Sequence, residues 1–191
     1  NYEKIKKRYK EINLQLWKDL ENGKIDKDRL RVLGFERIIE EFGLGYDSIG
    51  MSELYLKKLG EGVFPFEMTE KLCEYLHSKY KVGVVTNGIK EVQHSRIENS
   101  EIAKYIDKLV ISEEVGANKP DKKIFEYAMD YFGVLDKKSV MMVGDSLVAD
   151  IKGGQNTGID TCWVNLKNIE NNTGIVPKYE VKKLEELFKI L

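Results

Sequence analysis

The sequence predicts an α/β protein: a doubly wound parallel sheet with helices on both faces, preceded by a small all-helical part. Three observations predict this. From Gly62 onward, short apolar runs alternate with longer stretches of helical spacing, the mark of parallel strands joined by helical crossovers. Those runs are nearly all apolar, as strands are when helices cover both sheet faces. Before Gly62, apolar residues recur only at three- and four-residue spacing, with no two-residue alternation. The expected division is a helical domain over 1–61 and a sheet domain over 62–191.

In the helical part, Ile5, Tyr9, Ile12, Leu16 and Leu20 line one face of a first helix, stopped by Asn22-Gly23. A second helix starts near Asp26 or Asp28, buries Leu30, Leu33, Ile38 and Phe42, and ends at Gly43. A third starts near Asp47-Ser48, carries Met51, Leu54, Tyr55 and Leu59, and ends at Gly60. In the sheet part, a helix over 67–79 buries Met68, Leu72 and Leu76. A strand over 82–85 and a helix over 89–98 follow, then a strand over 109–111. A helix opens at Pro120, a favoured first-turn residue, and buries Ile124, Phe125 and Ala128. A strand over 140–143, a helix over 147–156, a strand over 161–164 and a last helix over 182–191 complete the pattern.

Composition narrows the function classes. The chain has 191 residues, with 31 basic and 32 acidic side chains for a net charge of −1. A nucleic-acid polymer would call for a basic excess, whereas a local pocket for a phosphorylated small molecule is compatible with this balance. The basic run from Lys4 to Lys10 reads as a solvated helix face. No apolar run approaches the ~18–20 residues that span a bilayer. Cys73 and Cys162 lie far apart in apolar stretches and read as free, packed thiols in a reducing, cytoplasmic compartment. His77 and His94 sit among polar residues in helical segments and read as surface or structural side chains, not a metal pair. Trp17 and Trp163 read as packing residues.

Ligands in open α/β sheets bind beyond the carboxyl ends of the strands, so the residues there carry the functional reading. After the strand ending at Val85 come Thr86-Asn87-Gly88. After Ile111 come Ser112 and Glu113, then Lys119-Pro120. After Val143 come Gly144-Asp145-Ser146, with Asp150 five residues beyond Asp145. The Thr86 hydroxyl and the Asn87 and Gly88 amides can donate to phosphoryl oxygens at a helix start. Lys119 is a compact cation suited to phosphate. Asp145 and Asp150 offer hard oxygens suited to Mg²⁺. Taken singly, each has a plainer reading: a turn at Thr86-Asn87-Gly88, a helix start at Lys119-Pro120, a cap or solvated carboxylate at Asp145 and Asp150. Their joint placement after parallel strands favours one phosphate site.

In that arrangement the chain resembles the haloacid dehalogenase superfamily. Its motifs are a Thr or Ser after a strand, here Thr86; a Lys often followed by Pro, here Lys119-Pro120; and an acidic pair of the form Gly-Asp-x-x-x-x-Asp, here Gly144 to Asp150. The stretches Leu109 to Gly116 and Gly158 to Trp163 resemble the superfamily's pyrimidine-type 5′-nucleotidases. The resemblance implies a Rossmann-like core over 62–191, with 1–61 as the helical cap that such enzymes insert after their first strand. It implies a Mg²⁺-dependent phosphate monoester hydrolase working through an aspartyl-phosphate. The substrate would be a nucleoside monophosphate, with Thr86 and Lys119 as catalytic phosphate contacts, Thr86, Asn87, Gly88 and Lys119 binding substrate, and Asp145 and Asp150 holding the metal.

The superfamily's Asp-x-Asp on the first strand, source of nucleophile and general acid, has no counterpart in 1–191. Asp26-Lys27-Asp28 lies between helices with no apolar strand before it. The missing strand would lie in mid-sheet, between the strands ending at Val85 and Val143. The expectation is therefore a natural protein that begins on the order of 30–50 residues earlier, and a 191-residue chain that is inactive and not a stable monomer alone. Two other readings stay open: a phosphatase of sugar phosphates or phosphoglycolate, and a binding or scaffold protein without the nucleophile. A dehalogenase is disfavoured by the metal-type acidic pair at Asp145 and Asp150.

Overall fold

Helix signals in the first third of the chain act as the sequence suggests. In the computed structural model, which describes residues 2–191, the chain forms two compact units, Asn1–Gly62 and Val63–Leu191. The first unit holds α1 (Tyr2–Glu21), α2 (Lys27–Phe42) and α3 (Ser48–Glu61). Gly23 turns the chain after α1 with φ 69°, a left-handed conformation that side chains with a Cβ adopt at a cost. Asp26 caps α2 by accepting from the Arg29 amide at 2.8 Å, and Gly43 ends it with φ 60°. Asp47 caps α3 through the Gly50 amide at 2.7 Å. Ile12, Leu16, Leu20, Leu30 and Ile38 form the buried core between these helices. Tyr9, Phe35 and Tyr55 add a ring cluster with centroids 4.9–5.6 Å apart. One expectation is corrected: Gly60 lies inside α3, which runs to Glu61. Of the apolar side chains that α3 carries, Leu54 is exposed. The Lys4–Lys10 cations are solvated, with Arg8 paired to Glu41 at 2.8 Å.

The second unit runs α4 (Thr69–Lys79), β1 (Gly83–Thr86), α5 (Lys90–Glu98), β2 (Lys108–Ile111), α6 (Ser112–Val115) and α7 (Lys122–Tyr131). It continues with β3 (Met141–Gly144), a π turn (Leu147–Ile151) leading into α8 (Lys152–Thr157), β4 (Asp160–Val164), β5 (Tyr179–Val181) and a final 3₁₀ segment (Leu184–Lys189). All strand pairings are parallel. β1 pairs β2 with Val85 opposite Val110; β3 pairs β4 with Val143 opposite Cys162; β4 pairs β5 with Trp163 opposite Glu180.

Both faces are covered. Val110, Ile124, Phe125, Met129 and Ile159 form one cluster, which Val85 and Met142 join. The opposite face gathers Leu72, Cys162, Val181 and Leu187, with Met141 and Val143 against them. Met142 thus faces one side and its neighbours the other, the two-residue alternation of a strand buried on both faces.

The strands form two separate sheets, β1-β2 and β3-β4-β5. The Asp107 amide donates to the Val82 carbonyl, and the Asp160 amide to the Val140 carbonyl. Backbone groups alternate in direction along a strand, so Val85 turns its polar groups away from β2 and Val143 turns its groups away from β4. Among the described residues, no strand pairs with those two outer edges.

Four local expectations are corrected. The last helix, expected over 182–191, is instead the 3₁₀ segment, and β5 just before it was not expected; a three-residue strand is too short to display alternation, and its pairing comes from β4. α7 begins at Lys122 behind an Asp121 cap that accepts from the Lys123 amide at 3.0 Å, so Pro120 precedes the helix. α4 begins at Thr69, with Met68 half-buried ahead of it at φ 73°. Finally, Ala128 is only partly buried beside the α7 core residues. Among the described residues, no helix is long and apolar enough to cross a membrane.

Candidate functional site

The carboxyl ends of β1 and β3 present the residues singled out from the sequence. Thr86 is the last residue of β1. The Gly88 amide, expected to meet a phosphoryl oxygen, instead donates to Thr86 Oγ1 at 3.0 Å. This turn occupies one lone pair of the hydroxyl and leaves its proton free to be donated elsewhere. The Asn87 side chain reaches out of the same turn. Its Nδ2 donates to the Lys119 carbonyl at 2.9 Å, and its Oδ1 accepts from the Lys119 amide at 2.7 Å.

Lys119 precedes α7 and turns its ammonium back towards β1. Nζ donates to the outward-facing Val85 carbonyl at 2.6 Å and to Asp150 Oδ1 at 2.7 Å. Two of the three ammonium donors are thereby used, and one remains. The lysine side chain is 11% exposed and that of Asp150 is 6% exposed. One cation therefore connects the end of β1 with the segment that follows β3.

Asp150 owes its place to the irregular turn after β3. Ser146 caps the π turn, its hydroxyl accepting from the Ala149 amide at 3.0 Å, while the Ser146 amide donates to Asp150 Oδ2 at 3.0 Å. This is a reciprocal cap, with the carboxylate one residue later than in an α-helix start because the turn is wider. Gly144 makes the arrangement possible: a Cβ there would overlap the Asp150 carboxyl group. Asp145 is exposed, and its main-chain carbonyl accepts the Trp163 indole N–H at 2.9 Å.

Among the described residues, no group of three or more His, Cys, Asp or Glu side chains gathers to hold a metal. Two carboxylates follow β3, one exposed and one committed to Lys119 and Ser146. That donor set fits Mg²⁺, which is usually bound through one or two carboxylates and several waters; a closed zinc site would need four protein ligands. Asp145 is the residue of the pair open to a metal.

Several side chains fall outside this constellation. His94 Nε2 lies 3.1 Å from Glu114 Oε1, linking α5 to α6, and His77 Nδ1 lies 3.6 Å from Asp107. The hydrogen bond from His94 chiefly, helped by Lys90, holds the Glu114 carboxyl below its usual range. Burial pushes the Cys162 thiol up to about 11 and raises that of Cys73; neither is a ready nucleophile. Asp26 and Asp28 sit at the start of α2, with Asp26 as its cap, and follow no strand. Sequence reasoning missed three positioning features: the Asn87 side chain, Gly144 and the indole of Trp163. The Ser146–Asp150 spacing was a readable cap signal; the other contacts depend on which loops meet.

A family model for haloacid dehalogenase-like hydrolases matches residues 10–164. The chain is 38% identical over 183 residues to the pyrimidine 5′-nucleotidase YjjG of Escherichia coli, covering 96% of this chain and 80% of that protein. It is 35% identical over 184 residues to the pyrimidine 5′-nucleotidase PynA of Streptococcus pneumoniae, covering 96% and 78%. Among solved structures, the magnesium-bound HAD-hydrolase YfnB of Bacillus subtilis superimposes with a TM-score of 0.91 at 34% identity, over 98% of this chain and 82% of that one.

Proposed function

The chain belongs to the haloacid dehalogenase-like hydrolase family, and from that premise we propose that it serves a magnesium-dependent phosphatase of nucleoside monophosphates. The observation that carries the reading is the Lys119 ammonium, held between the Val85 carbonyl and Asp150 Oδ1 with one donor left over. A cation so placed at converging strand ends suits a dianionic phosphoryl group. The similarity to two pyrimidine 5′-nucleotidases supports a nucleotide substrate.

In this reading Thr86 donates its hydroxyl proton to one phosphoryl oxygen, while the Gly88 amide keeps that hydroxyl turned. Lys119 gives its remaining N–H to another. Asp145 would hold Mg²⁺, and Asp150 orients Lys119. When bound, Mg²⁺ supplies further neutralisation of phosphoryl charge. The groups of this chain thus bind and orient a phosphoryl that is loosely held during transfer. The attacking carboxylate comes from a strand that pairs with the outward edges of Val85 and Val143, next to the Lys119 ammonium. Attack on phosphorus breaks the ester P–O bond and forms an aspartyl-phosphate; water then cleaves it, a second carboxyl group on that strand first protonating the leaving alkoxide and then accepting the water's proton. The helical unit acts as the cap that selects the leaving group, and the enzyme works in the cytoplasm.

The test is a screen of the full-length protein with Mg²⁺ against nucleoside monophosphates and sugar phosphates. Efficient release of phosphate from pyrimidine nucleotides, lost on chelation, is the expected result. Preference for sugar phosphates or phosphoglycolate would retain the phosphatase and overturn the substrate assignment.

A further inference from the structure

We propose that the Asn87 side chain is a positioning residue for Lys119, a clamp that aims the lysine without itself touching the substrate. The proposal rests on the reading of Lys119 as a phosphate ligand. Asn87 and Lys119 lie 32 residues apart, yet both hydrogen-bonding atoms of the carboxamide meet both main-chain polar groups of the lysine: Oδ1 accepts its amide at 2.7 Å and Nδ2 donates to its carbonyl at 2.9 Å.

A carboxamide suits this exchange, because it offers an acceptor and a donor side by side on one uncharged planar group. Aspartate at the same place would keep the acceptor but set an oxygen against the Lys119 carbonyl. The clamp fixes the lysine main chain in the stretch between α6 and α7, where no helix or strand bonds do so. It also ties that stretch to the turn holding Thr86. The two groups assigned to phosphoryl oxygens thus share one rigid base, one at residue 86 and the other held by residue 87. The ammonium end is fixed separately by Val85 and Asp150, so the lysine is constrained at both ends of its side chain. Catalysis by charge stabilisation depends on such fixed placement.

The experiment uses the full-length protein and inorganic phosphate as the probe, measured by titration calorimetry for wild type, Asn87→Ala, Lys119→Met and the double variant. Hydrogen exchange of the Lys119 amide is followed in wild type and Asn87→Ala. Asn87→Ala should weaken phosphate binding on the order of tenfold, the scale of two lost hydrogen bonds, and expose the Lys119 amide to exchange. In the Lys119→Met background the same change should cost less than about twofold, because Asn87 acts through the lysine. Asn87→Asp, which keeps the acceptor, should retain the amide protection and lose phosphate affinity. Asn87→Ser, too short to reach both main-chain groups of Lys119, takes the place of the alanine variant if that one fails to fold.

Equal losses in both backgrounds would overturn the clamp in favour of direct contact with phosphate, as would unchanged exchange at the Lys119 amide. If Lys119→Met leaves phosphate binding intact, the reading of Lys119 as a phosphate ligand fails. The exchange measurement then still decides whether the clamp exists.

Discussion

Lys119 and Asp150 form an enclosed ion pair, Nζ to Oδ1 at 2.7 Å, with both side chains almost removed from solvent. Such a pair tolerates the loss of neither partner, since the other is left charged and unpaired; removing one typically costs about 3–5 kcal/mol. Asp150→Ala should therefore lower unfolding free energy by about 3 kcal/mol in urea titrations of the full-length protein. Replacing both residues with apolar ones should return much of that loss. An Asp150→Ala protein as stable as wild type would mean that the pair is open to water.

Lys119→Met keeps most of the side-chain stem and deletes the charge. Turnover should fall by a factor on the order of 10²–10³, the scale for removing one well-placed electrostatic stabiliser. A loss smaller than about threefold would return Lys119 to its plainer role before α7.

Gly144 lies against the Asp150 carboxyl group, where a methyl has no room. Gly144→Ala should push that carboxylate off the Ser146 amide and Lys119, costing about 1–3 kcal/mol of stability, the usual penalty of overpacking. Turnover should fall with it, because Lys119 loses its anchor. Paired denaturation and rate measurements check this, and an alanine variant with full activity would contradict the tight approach.

Asp107 offers a pH-dependent test. Its carboxyl sits below the usual range, chiefly because it accepts the Val82 amide at 2.8 Å, and also because Lys81 and His77 stand beside it. A carboxyl whose folded-state pKa is depressed stabilises the fold above the unfolded value of 3.8 and loses that contribution as pH falls through the lowered folded value. Asp107→Asn should accordingly be less stable than wild type at neutral pH, with the two curves converging under acid conditions. A stability gap independent of pH would show that the charge plays no part.

Much of this molecule was legible in residue order, because the deciding forces were local. The strands around Val84, Val110, Met142 and Cys162 are apolar on both faces, with Thr86 and Asp145 at strand ends, Lys119 ahead of α7 and Asp150 in the turn after β3, in a readable order. What escaped was set by tertiary pairing. β5 is strand only because β4 lies beside Tyr179–Val181. Pro120 reads as a helix start, yet Asp121 offers the better cap. Trp163 looks like packing by its apolar setting, and it is buried, but its N–H also fixes the Asp145 carbonyl. The Asn87 clamp joins residues far apart in sequence, and no spacing rule announces it.

Asp145, the proposed magnesium ligand, is the exposed carboxylate just after β3, its carbonyl held by the Trp163 indole. The most direct test is phosphate release from a nucleoside monophosphate by the full-length protein across a magnesium titration, comparing wild type with Asp145→Asn. Wild-type activity should require added magnesium after chelation, and the asparagine variant should stay folded but lose most activity at every magnesium concentration. Full activity in Asp145→Asn, or undiminished wild-type turnover after exhaustive chelation, would contradict the magnesium role of Asp145.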